Sequence, residues 1–151
     1  MTDSKDKLEI SLRPRSVLTV TRTSLSQEKL IYILVSNKKI RYRKGSSKIV
    51  YVGRTEKGIA RIAKSAAYRA DRIFKRPSVT IFEARVITFR ESSSIKSRKK
   101  LERAFLLAFK GLYGQLPLCN QQGKRYRTTD EFKKYFDKMK LQHILKKLGT
   151  N

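Results

Sequence analysis

The chain is poor in the residues that build disulfides and zinc centres. Its 151 residues include one cysteine, Cys119, one histidine, His143, and no tryptophan. A single cysteine cannot form an internal disulfide, which is typical of a protein kept in a reducing compartment. One histidine and one cysteine also exclude paired-histidine and multi-thiolate zinc sites. We therefore expect a cytoplasmic, intracellular protein without a structural zinc site.

Acidic residues are scarce as well. Twelve acidic residues stand against 37 lysines and arginines, which gives a formal net charge of +25. Such an imbalance indicates a polyanionic partner, and nucleic acid is the first candidate. An anionic membrane surface is the weaker alternative, because the basic residues are spread along the whole chain and not gathered on one amphipathic helix. Charge alone predicts phosphate binding and no particular activity.

Long apolar runs are missing too. No run of about 18 apolar residues exists, so the sequence predicts no membrane-spanning helix. Residues 1–7 lack the apolar stretch of a secretory signal. The chain also lacks the Gly-rich phosphate loop of nucleotide hydrolases, so we expect no nucleotide cofactor. Its length fits one domain with a small core.

Two short apolar runs each carry a tyrosine. Residues 29–35 contain Tyr32 and residues 49–52 contain Tyr51, and each run has the composition of a strand. The segment 36–48 between them is polar and contains glycine, which predicts a long hairpin loop. Gly53 then allows the chain to turn sharply into a helix. The pattern therefore predicts two phenols on neighbouring strands.

The helix predicted after Gly53 has two distinct faces. Its core stripe follows helical spacing and comprises Ile59, Ile62, Ala63, Ala66, Ala70, Ile73 and Phe74. A second stripe contains Arg61, Ser65, Tyr68 and Arg72 at steps of three or four residues, so these side chains share one other face. A solvated basic face has the same pattern, and we prefer that interpretation for Arg72 alone.

Further elements are predicted on both sides of this region. Residues 8–13 alternate apolar and polar like a half-buried strand, and residues 17–21 are a second extended piece. This arm pairs either with the sheet edge, which is the simpler interpretation, or with a second subunit. Residues 79–89 are rich in β-branched and aromatic residues and predict a third, central strand. Residues 92–94 offer N-caps for a helix that ends near Gly111 or Gly114.

The carboxyl-terminal part predicts one more helix. Thr128 and Glu131 have the spacing of a capping box, and Gly149 marks the predicted end of the helix. The residues expected to be buried on it are Phe132, Tyr135, Phe136, Met139 and Leu145. His143 lies on the same helix, and we expect a surface or packing role for it.

Five features of the chain occur in a definite order. They are Leu30-Ile31-Tyr32, Tyr51-Val52-Gly53, Arg61, a helical Glu102, and Asn120 after a proline-containing segment. This ordered set, across residues 29–122, resembles the GIY-YIG nuclease family, whose two tripeptides lie on adjacent strands. Leu30 replaces the first glycine of that pattern. Ser65 stands where a histidine or tyrosine often follows the arginine one turn later, and Tyr68 is the candidate substitute.

The resemblance implies a metal-dependent endonuclease and assigns roles to these residues. Arg61 would bind phosphate oxygens as a fork of donors, and Glu102 would hold one Mg²⁺ or Mn²⁺. A single carboxylate is sufficient because Mg²⁺ keeps most of its waters. One tyrosine would act as the base and the other would position water or phosphate, and we favour Tyr32 as the base. Asn120 would hydrogen-bond a phosphate or orient its neighbours.

The sequence thus predicts an α+β fold, a small three-stranded and mainly antiparallel sheet flanked by helices. We expect an arm at 1–28, a catalytic core at 29–127 and a packing helix within 128–151. The expected function is site-specific, restriction-like hydrolysis of double-stranded DNA in the cytoplasm, at the nucleoid, with a homodimer left open. The candidate nucleic-acid contacts are Arg41, Arg43, Lys44, Lys48, Arg54, Arg72, Lys124, Arg125 and Arg127.

A rival interpretation is a protein that binds nucleic acid but does not cleave it. In a non-catalytic, strongly basic binding protein, the tyrosines would be core residues and Glu102 would form a surface ion pair with its basic neighbours. Both interpretations predict strongly salt-dependent binding, so only cleavage separates them.

Overall fold

The predicted α+β architecture is confirmed. A computed structural model describes residues 8–89, 97–120 and 136–151, with main-chain placement alone at residue 97. Three antiparallel strands form one sheet, and helices pack against it. The elements are β1 (Leu30–Tyr42), β2 (Gly45–Thr55), α1 (Gly58–Phe74), β3 (Phe82–Ile87), α2 (Ser97–Tyr113), a 3₁₀ turn (Leu118–Asn120) and α3 (Lys138–Thr150). None of the described helices combines the length and apolarity that a bilayer crossing requires.

The first strand, and not the third, is the centre of the sheet. A third strand is present within residues 79–89, as predicted, but the strand order β2-β1-β3 places it at an edge, so its predicted central position is wrong. Every residue from Leu30 to Ser36 is buried, and successive side chains point to opposite faces, so both faces of β1 are covered there. The four inner residues of β3 are exposed, which is typical of an edge. The unbroken apolar run 30–35 was the sequence signal for the central position.

The segment 36–48 is not a loop. β1 continues to Tyr42 and β2 begins at Gly45, so only Arg43 and Lys44 form the turn. The alternation of Ile40 and Tyr42 explains the difference, because both side chains are buried. The hydroxyl of Tyr42 donates to the Ile49 carbonyl at 2.7 Å and accepts from the Leu118 amide at 3.1 Å.

A bulge interrupts β1 where the sequence becomes polar. The pairing register shifts between Val35 and Ile40. The Ser36 hydroxyl donates toward the carbonyl oxygens of Lys38 and Lys48, and the Asn37 amide bonds Thr80 and Ile81 ahead of β3. These side chains satisfy backbone groups that a regular ladder would pair, so polar residues stabilise the bulge.

The helices cover the sheet with the apolar stripes that the sequence indicates. On α1, Ile62 and Ile73 are buried as predicted, whereas Ala63 is exposed and Phe74 is 39% exposed, so the predicted burial is wrong for these two residues. On α2, Phe105 and Phe109 are buried. That helix ends at Tyr113, and Gly114 follows it with φ +76°, as the predicted C-terminal glycine.

The last helix starts and ends at other residues than predicted. Within the described residues, α3 begins after Asp137, whose carboxylate accepts from the amides of Met139 and Lys140. Gly149 lies inside the helix, and a Cβ atom there would lie 2.5 Å from the Ser47 hydroxyl oxygen, which explains the glycine. Met139 is 73% exposed, contrary to the predicted burial, and Leu145 is buried as predicted. Thr128, Glu131, Phe132 and Tyr135 lie outside the described residues.

The amino-terminal arm does not pair with the sheet. Residues 8–28 contain no strand, and the predicted half-buried strand at 8–13 is wrong. Six apolar side chains of the arm are between 71% and 96% exposed: Leu8, Ile10, Leu12, Val17, Leu18 and Val20. The arm meets the core near its end, where the Glu28 carbonyl accepts from the Gly58 amide at 3.0 Å.

Candidate active site

The two predicted tyrosines lie side by side above a glycine. Tyr32 on β1 pairs with Gly53 on β2, and the ring centroids of Tyr32 and Tyr51 are 5.8 Å apart. A Cβ atom at Gly53 would lie 2.5 Å from Cε1 of Tyr51 and 2.8 Å from Cζ of Tyr32. Glycine is therefore required sterically, since any side chain would push the phenols apart. The structure brings together two side chains that are 19 positions apart in the chain.

Tyr32 connects the sheet to α1. Its ring is only 2% exposed, and its hydroxyl donates to the Ser65 hydroxyl oxygen at 2.6 Å. Nη1 of Arg69 donates to the same oxygen at 2.8 Å and to the Ser65 carbonyl at 3.2 Å. Ser65 lies on the helical face that its sequence spacing predicts, and its side chain is buried. The hydrogen bonds fix the positions of a phenol and a guanidinium relative to each other.

Arg69 is a site residue that the sequence reasoning missed. The Cζ atom of its guanidinium lies 3.7 Å from the ring centroid of Tyr51, which is a close cation–π contact. The available signal was spacing, because Arg69 follows Ser65 by four residues and Arg61 by eight, and so lies on the same side of the helix. Arg61 itself makes no such contact with Tyr51 in the described structure.

A basic cleft of about 240 Å³ lies on the surface of α1, and two of its lining residues, Ser65 and Arg69, contact Tyr32 and Tyr51. Its lining consists of Arg61, Lys64, Ser65, Tyr68 and Arg69, all on α1. Within the described part of the chain, Arg61 and Lys64 form no ion pair. Unpaired cations around a polar depression favour an anionic ligand such as a phosphodiester.

Glu102 lies near Tyr51 and pairs with β2. Its Oε2 accepts from Nε of Arg54 at 2.7 Å, with the Glu102 side chain 21% exposed. Glu102 thus forms an ion pair, as the rival interpretation expects, and this pair joins α2 to β2. Arg98 of α2 bonds Glu56 at 2.8 Å. The Glu102 carboxylate also contributes to the raised pKa of Tyr51, which reports its electrostatic effect on the phenol.

The environment of Tyr51 keeps its phenol protonated. Burial, and after it the neighbouring Tyr32, raise the pKa of Tyr51 well above its ordinary value near 10. Arg69 lowers this pKa, but by less. Arg69 alone therefore does not favour the Tyr51 phenolate, and the predicted effect of a bound metal ion on this phenol stays a prediction. At neutral pH this side chain is a hydrogen-bond donor.

Asn120 holds the outer edge of β2. Its Oδ1 accepts from the Val52 amide at 2.9 Å, and its Nδ2 donates to the Val52 carbonyl at 2.8 Å. The side-chain amide therefore takes the place of a neighbouring strand. Val52 adjoins Tyr51, so these bonds fix the backbone next to that phenol, and both roles predicted for Asn120 stay predictions.

The hairpin cations lie at a different surface. Arg41, Arg43 and Lys44 are exposed at the hairpin tip, ten residues along β1 from Tyr32. That separation corresponds to about 30 Å at the rise of a strand. Nζ of Lys48 bonds the carbonyl of Asn151 at 2.6 Å. These residues stay predicted nucleic-acid contacts, but the structure does not bring them to the cleft.

The remaining predicted cations have different surroundings. Arg54 pairs with Glu102, as described above. Arg72 lines a second cleft of about 170 Å³ together with Tyr68, Arg69, Asp71 and Cys119. Lys124, Arg125 and Arg127 lie outside the described residues.

Glu102, the carboxylate predicted to hold a metal ion, is paired with Arg54. Among the residues that the structure describes, no three of the acidic, histidine and cysteine side chains cluster as a metal site. Glu102 alone, together with water and substrate phosphate, satisfies the needs of Mg²⁺, which takes few protein ligands. Its side chain is 21% exposed and its charge acts on Tyr51, which fits that use.

No family model, curated protein or solved structure matches the chain. The GIY-YIG resemblance therefore stays a prediction that depends on the ordered motifs and on the arrangement of the site.

Proposed function

We propose that the chain is a metal-dependent endonuclease of the GIY-YIG type that hydrolyses DNA phosphodiester bonds. The observation that carries the proposal is the convergence of two phenols, a guanidinium and a carboxylate next to an open basic cleft. Tyr32, Tyr51, Arg69 and Glu102 come from four different elements. A purely structural core does not explain why two phenols and an arginine meet beside unpaired surface cations.

The phosphate-binding role falls on the arginines of α1. Arg61 is exposed in the cleft, and a guanidinium matches two phosphate oxygens at once. Arg69 is held by Ser65 and Tyr51, so its orientation is fixed before substrate arrives. Preorganised positive charge stabilises the additional negative charge of a phosphoryl transition state.

The two phenols take different roles because their exposure differs. Tyr51 is half-buried and remains neutral, so it donates a hydrogen bond to a phosphate oxygen. Tyr32 is buried and its hydroxyl donates to Ser65, which argues against the expectation that Tyr32 is the base. We assign Tyr32 a positioning role, in which its ring and hydroxyl hold Tyr51 and Ser65 in place.

Glu102 would hold Mg²⁺ or Mn²⁺, one ion per site. When bound, the ion supplies Lewis acidity that stabilises the leaving 3′ oxygen. Arg54 occupies the Glu102 carboxylate in the described structure, so ion binding requires this ion pair to open or to share an oxygen. Arg54 would then become available for the DNA backbone, which is the contact predicted for it.

The proposed partner is double-stranded DNA, and the proposed setting is the cytoplasm, at the nucleoid. The net charge of +25 supports tight backbone binding. A restriction-like role would require base readout, for which the hairpin cations are the candidates. The exposed apolar arm supports a homodimer in which residues 8–20 contact a second subunit.

A non-catalytic basic binding protein is the second candidate. The observation in its favour is the Arg54–Glu102 ion pair, which gives the carboxylate a structural partner. This second function does not explain why the two phenols approach each other over Gly53.

Cleavage of supercoiled plasmid in the presence of Mg²⁺ tests the proposal. We expect nicked or linear products from the native protein, and losses of at least about 100-fold for Glu102→Gln and Arg61→Ala, since each removes transition-state charge stabilisation. Glu83→Gln is the matched control, because Glu83 also pairs with an arginine, Arg85, but on the edge strand β3, opposite Val35. Equal activity of the native protein and all three variants would assign the cleavage to a contaminant and sink the proposal.

A further inference from the structure

Tyr68 is a large aromatic side chain without a packing role. Its side chain is 77% exposed at the middle of α1, and among the described residues its hydroxyl makes no hydrogen bond. Its ring contributes to the lining of both clefts, the larger with Arg61 and Lys64 and the smaller with Arg72 and Cys119. Tyr68 therefore stands on the ridge that separates two depressions.

Both depressions are positively charged. In the described part of the chain, Arg61, Lys64 and Arg72 have no acidic partner within ion-pair distance. The one carboxylate that lines either cleft, Asp71, is paired with Lys75 at 3.1 Å. An anionic chain crossing the ridge would therefore meet unpaired cations before and after the aromatic ring.

The ridge adjoins the proposed catalytic groups. The Arg69 guanidinium lies 3.7 Å from the ring centroid of Tyr51 and 5.6 Å from that of Tyr68, so it is placed between the two rings. A nucleotide at Tyr68 would thus have its backbone next to Tyr51 and Arg61.

We propose that Tyr68 stacks one unpaired base, so that the preferred ligand is a DNA duplex carrying an unpaired nucleotide. The flanking phosphates then lie in the two clefts. Base–aromatic stacking tolerates any base, because every base has a π-face. A perfect duplex keeps its bases stacked on each other, and extruding one costs free energy that is smallest where the base is already unpaired. The inference uses the DNA partner of the proposed function and not its hydrolytic step.

Binding in EDTA, measured by fluorescence anisotropy, tests this assignment. The probes are a labelled perfect duplex and the same duplex with one extra, unpaired nucleotide. We expect the native protein to bind the second probe roughly 5- to 150-fold more tightly, the range that one base–aromatic stack supplies. Tyr68→Ala should remove this preference and change affinity for the perfect duplex by less than about twofold, whereas Tyr68→Phe should retain the preference.

Two controls separate stacking from charge. Met139→Ala removes a similarly exposed apolar side chain on α3 and should change neither affinity. Tyr68→Ala should leave the salt dependence of binding unchanged, and Arg72→Ala should reduce its slope by about 0.9, because only the second change removes a phosphate contact.

Two results would overturn the assignment: equal affinity of the native protein for both probes, or an equal loss on both probes for Tyr68→Ala. Because no cleavage occurs in EDTA, the outcome is independent of the plasmid assay. A protein that discriminates but never cuts would contradict the nuclease proposal alone.

Discussion

Gly53 controls how closely the two phenols approach. Gly53→Ala places a methyl group where atoms of Tyr32 and Tyr51 now lie, within 2.8 Å of both rings. We expect a stability loss of about 1–3 kcal/mol, the usual cost of overpacking. We also expect a loss of about 100-fold in cleavage, since displacing a catalytic group by about 1 Å has effects of that size. Urea denaturation and the plasmid assay measure the two effects.

Gly111→Ala is the matched control for that substitution. Gly111 lies on α2 with no atom within 4 Å of an added methyl group, so alanine there should stabilise the helix by roughly 0.5–1 kcal/mol. Cleavage should stay at the native level. An unchanged cleavage rate in Gly53→Ala would show that the spacing of the phenols does not matter for the reaction.

The protonation state of Tyr51 predicts a particular pH dependence. Because its pKa is raised above 10, the phenol carries its proton throughout the neutral and mildly alkaline range. We expect Tyr51→Phe to lower cleavage by about 10²–10³-fold, as for loss of one preorganised donor. The factor should be equal at pH 7 and pH 9. A phenolate base would instead make the native rate rise with pH, so that the factor increased toward pH 9, and rate measurements over this range distinguish the two.

At the scale of elements, β2 depends on a side chain for its outer edge. Asn120→Ala removes both partners of the Val52 backbone, and leaving such groups unsatisfied costs about 1–3 kcal/mol. Asn120→Asp keeps an acceptor for the Val52 amide but turns an oxygen toward the Val52 carbonyl, so we expect it to be at least as destabilising. Urea midpoints give the comparison.

Gln115→Ala provides the reference for the Asn120 variants. Gln115 also bonds a strand backbone from a connecting segment, but through one exposed bond to the Arg43 amide. Its removal should cost well under 1 kcal/mol. Losses of equal size at positions 115 and 120 would contradict the edge-holding role of Asn120.

A helix or strand could be predicted from the sequence where the spacing of residues within that segment alone determined it. Helical spacing identified α1 and the shared face of Arg61, Ser65 and Tyr68, because a 3.6-residue period is visible in sequence. The position of Arg69 against Tyr51 was not predictable in this way, since it depends on how α1 crosses the sheet. The face of α1 that lines the cleft could thus be predicted from the sequence, whereas the contact between that helix and the strands could not.

The strand errors have a common physical cause. The polar segment 36–48 resembled a loop because its strand character is limited to the alternating Ile40 and Tyr42, and the intervening bulge satisfies its backbone through Ser36 and Asn37. Strand order likewise depends on long-range pairing, and the unbroken apolar run 30–35 was the one local signal that β1 is central. Residues 79–89 look apolar enough for a central strand, yet they lie at the edge.

At the scale of the whole molecule, the basic surface extends far beyond the cleft. Replacing Arg41, Arg43 and Lys44 together with alanine should weaken binding to duplex DNA and reduce the salt slope by up to about 2.7, if each contacts one phosphate. The cleavage rate at saturating DNA should be unchanged, since the hairpin tip lies about 30 Å from the phenols. Anisotropy over a salt series and single-turnover kinetics measure both. A reduced rate at saturation would mean that the tip acts on the reaction.

The ion pair between Arg54 and Glu102 predicts how stable the fold is without the proposed metal ion. The guanidinium already neutralises the carboxylate, so chelation uncovers no bare negative charge in the fold. We therefore expect EDTA to abolish cleavage and leave the melting temperature unchanged, a separation that calorimetry with and without chelator would reveal. Such a molecule can persist in a dormant, fully folded form and respond to the supply of divalent ions without refolding.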